Sequence, residues 1–227
     1  MINTWNESLL HEELKDYYCD GKGLKEVHLE GSICDIVFGD GSIVEIQTVN
    51  LGKLKTKLEK LLANHPLTLV YPIAENTHIE TYGIDRNLIS RRKSPKHGTI
   101  FQLFRELTKI YPLLDHPNFT LTVVFADIIE IRIADGKGSW RRKGVRLEDR
   151  KLSKIHSFRN FSDKTDYAAL LPQNLAEIFT VADLKKIGAG NYAGYMAWVM
   201  RNIGIIKIQE KKGNAYCYAR VPLDKNR

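Results

Sequence analysis

The sequence predicts an α/β protein: a mixed-sheet core flanked by helices, then a basic middle segment, then a small unit of helices closed by a hairpin. Three observations carry that expectation. Residues 31–48, GSICDIVFGDGSIVEIQT, alternate and then run apolar on both sides of Gly39-Asp40-Gly41, the pattern of a hairpin with a buried face. Residues 51–63 place Leu51, Leu54, Leu58, Leu61 and Leu62 at helical spacing, and residues 67–71 (LTLVY) add an apolar strand. From residue 171 onward the chain changes to short helical stretches, a glycine turn and a final hairpin. These shifts divide it into 1–80, 81–165 and 166–227, with the middle segment packed on or completing the core.

Residues 3–18 read as a helix, with Thr4 or Asn6 available as N-cap. Leu10, Leu14, Tyr17 and Tyr18 fall on one side of it, and Glu7 and His11 fall on that same side. Asp20-Gly21-Lys22-Gly23 is a turn, and residues 25–38 form the first hairpin strand with a break at Gly31. Inside the hairpin sit two carboxylates. A loop of Gly39-Asp40-Gly41 closing on Phe38 and Ser42 sets Asp35 opposite Glu45, with Gln47 on the same face by the strand period of two; a two-residue loop would instead set Asp35 opposite Ile46. Acids in otherwise apolar strands are costly unless paired or bound to a cation.

These residues resemble a family. An Asp, about ten residues, then Glu-x-Lys on a hairpin, with a helix before and an amphipathic helix after, is the signature of the PD-(D/E)XK, restriction-endonuclease-like nucleases. The resemblance covers residues 5 to 75, with Asp35 and Glu45 as the acidic pair and Gln47 where the family has lysine. It implies a restriction-endonuclease-like core and a metal-dependent deoxyribonuclease. Asp35 and Glu45 would hold Mg²⁺ or Mn²⁺, Glu7 would add an acid from the first helix, and Gln47 would orient water without acting as cation or base. Lys53 or Lys57 on the next helix could supply the missing positive charge.

The middle segment carries two basic clusters, Arg91, Arg92, Lys93 and Lys96 in the first, and Lys137, Arg141, Arg142, Lys143 and Arg146 around Trp140 in the second. Between them lie a helix over 99–110 and one long or two short strands over 121–133. Cationic clusters in loops bearing Gly, Ser and Pro suit phosphate contact, and Trp140 suits stacking. The net charge of +7 is unevenly spread: residues 1–85 hold 7 basic against 14 acidic side chains, residues 86–159 hold 17 against 7, and residues 160–227 hold 10 against 6. An acidic part with a candidate cation site followed by basic parts fits a protein that holds a metal with one and a polyanion with the other.

At the C-terminal end, a helix over 175–179, a helix over 181–187 capped by Thr180, a turn at 188–190, a helix over 192–203 capped by Asn191, and strands at 205–208 and 215–221 follow one another. This order resembles a winged helix over about 50 residues. Tyr192, Tyr195, Met196, Val199 and Ile203 make the inward stripe of its third helix. Ala193, Gly194, Ala197 and Arg201 make the outward side that would face DNA, and Lys211 and Lys212 sit on the wing.

The expected function is therefore a divalent-metal-dependent DNA endonuclease; the alternative is a catalytically silent, nuclease-like DNA-binding or regulatory protein. Duplex DNA is the expected partner, and a homodimer is compatible with the sequence. No apolar run reaches the roughly 20 residues of a bilayer span, and the N-terminus has no secretory pattern, which predicts a soluble cytoplasmic chain without a membrane partner. Cys19, Cys34 and Cys217 are odd in number and widely spaced, and read as buried thiols without a zinc or disulfide role.

Overall fold

A computed structural model describes residues 7–223. The chain is mixed α/β, with a large mixed sheet flanked by helices and a second sheet of three strands. In order the elements are α1 (Leu9–Cys19), β1 (Leu24–Leu29), β2 (Ser32–Val37), β3 (Ile43–Ile46), α2 (Lys55–Leu61), β4 (Leu67–Tyr82), β5 (Leu88–Lys93), α3 (Leu103–Leu107), β6 (Phe119–Ala134) and β7 (Val145–Phe161). They continue as α4 (Lys164–Ala168), β8 (Ile178–Thr180), α5 (Val181–Leu184), α6 (Ala193–Asn202), β9 (Ile206–Lys212) and β10 (Ala215–Arg220). The large sheet runs β1-β2-β3-β4-β6-β7, with β5 paired to β4; the small one runs β8-β10-β9.

Two compact units divide the chain. One comprises the residues up to Thr48 with Val70–Gly98 and Val123–Arg159; the other comprises Val49–Leu69, Thr99–Thr122 and Asn160–Arg227. These interleaved units differ from the consecutive segments 1–80, 81–165 and 166–227, because β4, β6 and β7 each contribute residues to both.

In the first unit α1 is the helix on which the sheet closes. Its Leu10 and Leu14 are buried with Ile36, Val44, Ile46 and Val70. Each such side chain contributes roughly 1.5–3 kcal/mol by leaving water. On its other flank α1 meets the last strand: Tyr17 stacks on Phe158 at 6.0 Å between ring centroids, and Leu152 N–H donates to Glu13. The helix begins at Leu9, later than expected, because the Ser8 hydroxyl accepts the His11 N–H at 3.3 Å and caps it. Thr4 and Asn6 lie outside the described residues.

The single strand expected over 25–38 is two. Glu30 and Gly31 both have positive φ (48° and 70°), so the chain reverses there, and β1 pairs antiparallel with β2. The strand expected over 67–71 extends to Tyr82, and 121–133 lies within one long strand, β6. The first basic cluster is partly β5, a strand rather than a loop.

In the second unit Phe161 stacks on Tyr167 at 4.7 Å, α3 packs on α6, and Tyr111 meets Trp198 edge-on at 5.0 Å. Ile178 and Phe179, expected at the end of a helix over 175–179, belong instead to a strand with Thr180, because Ile178, Phe179 and Thr180 pair with Ala219, Tyr218 and Cys217 of β10. Thr180 caps α5 as expected, through a capping box with Asp183. All three cysteines are buried thiols outside any disulfide. Among the described residues no helix is long and apolar enough to cross a membrane.

Candidate functional site

The site is built from the turn outward. Gly41 N–H donates to Phe38 O at 3.0 Å and Phe38 N–H to Ser42 O at 2.9 Å, while the Asp40 carboxylate accepts both the hydroxyl and the N–H of Ser42. Those bonds hold the Asp40 carboxyl below its ordinary pKa. The loop therefore spans Gly39-Asp40-Gly41, and the strands pair Ile36 with Val44 and Val37 with Ile43. This is the register that sets Asp35 opposite Glu45.

Across that position the two buried acids stitch the strands together. Asp35 N–H donates to Glu45 Oε1 at 3.3 Å, and Ile46 N–H donates to Asp35 Oδ2 at 2.7 Å. Glu45 is 1 % exposed. On the other side of β2 a third acid comes abreast. The β1–β2 ladder pairs Lys25 with Ile36 and Val27 with Cys34, and Glu26, which falls opposite Asp35, takes φ +54° instead of an extended conformation. A left-handed residue other than glycine costs roughly 1–2 kcal/mol. Its effect here is to bring the Glu26 carboxylate to Lys15 Nζ at 3.2 Å.

Above the strands, α1 and the residue before its cap supply Glu7, His11 and Lys15, spaced by four and so stacked along one row. Lys15, 3 % exposed, reaches Glu7 Oε2 at 2.7 Å. Burial alone would push its ammonium down; the hydrogen bond to Glu7 and the charges of Asp35 and Glu7 outweigh that, and the pKa lies above the ordinary lysine value. His11 Nε2 lies 3.4 Å from Asp35 Oδ2 and 3.7 Å from Glu7 Oε1, and is buried without a hydrogen bond. Glu7, His11 and Asp35 each present a ligand atom within 4.8 Å of the others.

Among the described residues Glu7, Glu26 and Asp35 approach Lys15 or His11, and Glu45 is hydrogen-bonded to the Asp35 backbone behind them. Glu7 and Glu26 keep about a third of their side chains in water, whereas Asp35 and Glu45 are buried, where like charge is unfavourable unless protons or a cation offset it. The imidazole nitrogen and the two carboxylates of Glu7 and Asp35 form a donor set that fits a divalent ion, and Mn²⁺ suits its nitrogen better than Mg²⁺.

Of the residues expected from sequence, Glu7 and Asp35 meet in this cluster, and Glu45 braces Asp35 from the neighbouring strand. Gln47 is half-buried and donates its N–H to Val70 O at 2.9 Å. Lys53 and Lys57 belong to the other compact unit. The cation at the site is Lys15, which the sequence signalled only as the third member of the row already holding Glu7 and His11.

The β4–β5 and β6–β7 turns meet at one end of the sheet. Arg86, in the β4–β5 turn, bonds Glu148 of β7 at 3.1 Å, and Glu148 also takes Arg146, whose Nε holds Asp135 at 2.7 Å. Next to Glu148, Asp149 accepts the Leu9 N–H at 3.1 Å, which ties the start of α1 to the same end. Arg91 faces Glu80 at 3.5 Å. Among the described residues no ion pair engages Arg92, Lys93, Lys96, Lys137, Arg141, Arg142 or Lys143, all exposed.

The small C-terminal unit departs from expectation on α6. Ala193 and Ala197, expected to face DNA, are 0 % and 1 % exposed, while Tyr195, expected inward, is 43 % exposed. The buried stripe is Ala193, Met196, Ala197, Val199 and Met200, because the small residues let α3 approach closely. Arg201 is exposed, as are Lys211 and Lys212 on β9, where Lys211 lies over the Tyr216 ring and Lys212 pairs with Glu210 at 2.9 Å. Tyr192, with no capping side chain, precedes α6 in place of Asn191.

Residues 8–162 match the family described as "Domain of unknown function (DUF8091)". The chain belongs to that family. The match takes in His11, Lys15, Glu26, Asp35, Glu45 and both basic clusters, and it ends where β7 ends, so the C-terminal unit from α4 onward lies outside it. A relative from Treponema pallidum (strain Nichols), described as "Uncharacterized protein", is 39 % identical over 226 residues, covering 100 % of this chain and 90 % of its own length. No solved structure matches the chain.

Proposed function

We propose that the protein is a divalent-metal-dependent deoxyribonuclease of the PD-(D/E)XK type with a glutamine in the lysine position. The observation that carries this reading is the gathering of Glu7, His11 and Asp35 beside Glu45 on a hairpin of the expected register. The order helix, three antiparallel strands, helix, strand of residues 9–82 is compatible with a restriction-endonuclease-like core. The order α4, β8, α5, α6, β9, β10 with sheet order β8-β10-β9 is compatible with a winged helix.

Glu7, His11 and Asp35 would hold the ion, which when bound lowers the pKa of its water and offsets charge developing on the scissile phosphate. Glu45 fixes the Asp35 backbone, and Asp35 in turn is held by the Ile46 N–H, so the carboxylate is preorganised. Lys15 supplies a positive charge that Gln47 cannot, an amide being neither cation nor base. Its pair with Glu26 keeps that ammonium in place. The exposed cations at the sheet end would neutralise the phosphates on either side.

A catalytically silent DNA-binding protein is the second reading. It is favoured by the structural use of both hairpin acids, each of which already accepts a backbone N–H. Supercoiled plasmid incubated with the protein and Mn²⁺, Mg²⁺ or EDTA separates the two. The nuclease reading expects nicked or linear product only with metal, lost in Asp35→Ala; an intact plasmid that is still shifted on a gel favours the silent protein.

A further inference from the structure

The cations of the β4–β5 and β6–β7 ribbons share them with large apolar side chains that stand exposed among the described residues. Trp140 is 92 % exposed, Ile84 77 %, Ile89 63 % and Leu88 53 %. They sit on the tips and outer strand of two ribbons. One is β4–β5, whose β5 is exposed along its whole length and pairs only with β4; the other is the β6–β7 hairpin. The Arg86–Glu148 bond links these two ribbons. Phosphates account for Arg92, Lys93, Arg141, Arg142 and Lys143, but phosphates offer an indole nothing. Aromatic side chains instead stack on the faces of bases, and those faces are hidden in an intact duplex and open in a single strand or at an unstacked step.

We infer that this ribbon pair binds nucleic acid through accessible base faces, with Trp140 stacking on a base and the neighbouring cations holding the flanking phosphates, so that the substrate class is single-stranded or gapped DNA rather than perfect duplex. The inference rests on the proposed nuclease reading, because Asp149 joins this end of the sheet to the start of α1, beside Glu7 and His11. An anionic membrane surface fits less well. At the β6–β7 tip Trp140 is followed directly by the exposed cations Arg141, Arg142 and Lys143, without the broad apolar face that insertion into a membrane surface uses.

Fluorescence anisotropy of a labelled oligonucleotide with the full chain in EDTA tests this independently of cleavage. The oligonucleotide is presented as a single strand, as a gapped duplex and as a perfect duplex. The single strand and gapped duplex should bind about tenfold or more tighter than the duplex at the same salt. Trp140→Ala should remove about tenfold from single-strand affinity without changing the salt slope, the effect expected of one lost base stack. Trp140→Phe should keep most of it. An Arg141→Ala/Arg142→Ala variant should weaken all three and flatten the salt slope.

Equal affinity for single strand and duplex with an undiminished salt slope overturns the inference and leaves the nuclease reading standing. Binding to none of the three overturns both. Binding to phosphatidylserine vesicles that Trp140→Ala abolishes, with no oligonucleotide bound, assigns the patch to a membrane and overturns the inference.

Discussion

Charge is handled in opposite ways at two places in the first compact unit. Under α1, Lys15 and Glu45 are 3 % and 1 % exposed and the acids are held by backbone N–H groups, an ammonium and an imidazole. On the β4–β5 and β6–β7 ribbons, Arg92, Arg141, Arg142 and Lys143 stand exposed without an ion pair among the described residues. The difference teaches what each set can do. Buried, engaged charges are costly to keep and resist movement, so they can hold a cation or a reacting group in place. Exposed, unengaged cations contribute almost nothing to stability and are available to a polyanion.

Glu45→Ala should break the buried side with the largest effect. Cleavage with Mn²⁺ should fall by about 10²–10³-fold or more, because Asp35 loses the brace that preorganises it, while affinity for DNA stays level or rises as repulsion of phosphate is relieved. Plasmid nicking rates and gel-shift titrations of the same preparations check both halves, and a parallel loss of binding would show that the two regions are not separable.

Lys15→Met should come next. It leaves Glu7 and Glu26 without their shared ammonium and should lower stability by about 1–3 kcal/mol, the scale of a lost charged hydrogen bond. The Lys15 pKa is raised in the folded chain, so its stabilisation is complete below the ordinary lysine value of about 10.4 and is lost as pH rises through the higher folded value. The difference in urea midpoint between wild type and Lys15→Met should therefore be constant from neutral pH to about pH 10 and shrink above it. A difference that instead vanishes as pH falls would assign the effect to the carboxylates.

The smallest change sharpens the exposed side. Lys143 has φ +50° in the β6–β7 turn, a conformation asparagine adopts more readily. Lys143→Asn should raise thermal stability slightly, by about 0.5 kcal/mol, and lower the salt dependence of DNA binding by about one phosphate contact. Loss of stability here would mean that the cation is engaged in the fold.

Legibility followed the range of the interactions. The β2–β3 register could be read because Gly39-Asp40-Gly41 fixes it locally, and with it came Asp35 opposite Glu45. The break at Gly31 could be read from its glycine, but the full reversal there was hidden because glutamate rarely accepts positive φ, and β7 was hidden because its charged sequence lacks the alternation of a half-buried strand. Ile178 and Phe179 look helical by themselves and join a strand only through β10. Lys15 shares the helix row of Glu7 and His11, but what marks it as the site's cation is its burial between Glu7 and Glu26, and the left-handed residue that brings Glu26 there has no local pattern. The face of α6 was misjudged because small residues suit a close helix neighbour as well as they suit DNA.

Calorimetric titration of the full chain with Mn²⁺ tests most directly whether the buried acids are held for a cation. Saturable heat from one site in wild type, abolished in Asp35→Ala and strongly weakened in His11→Ala while circular dichroism shows both variants folded, is the predicted result. No heat in wild type, or equal heat in an Asp35→Ala/Glu45→Ala variant, would contradict it.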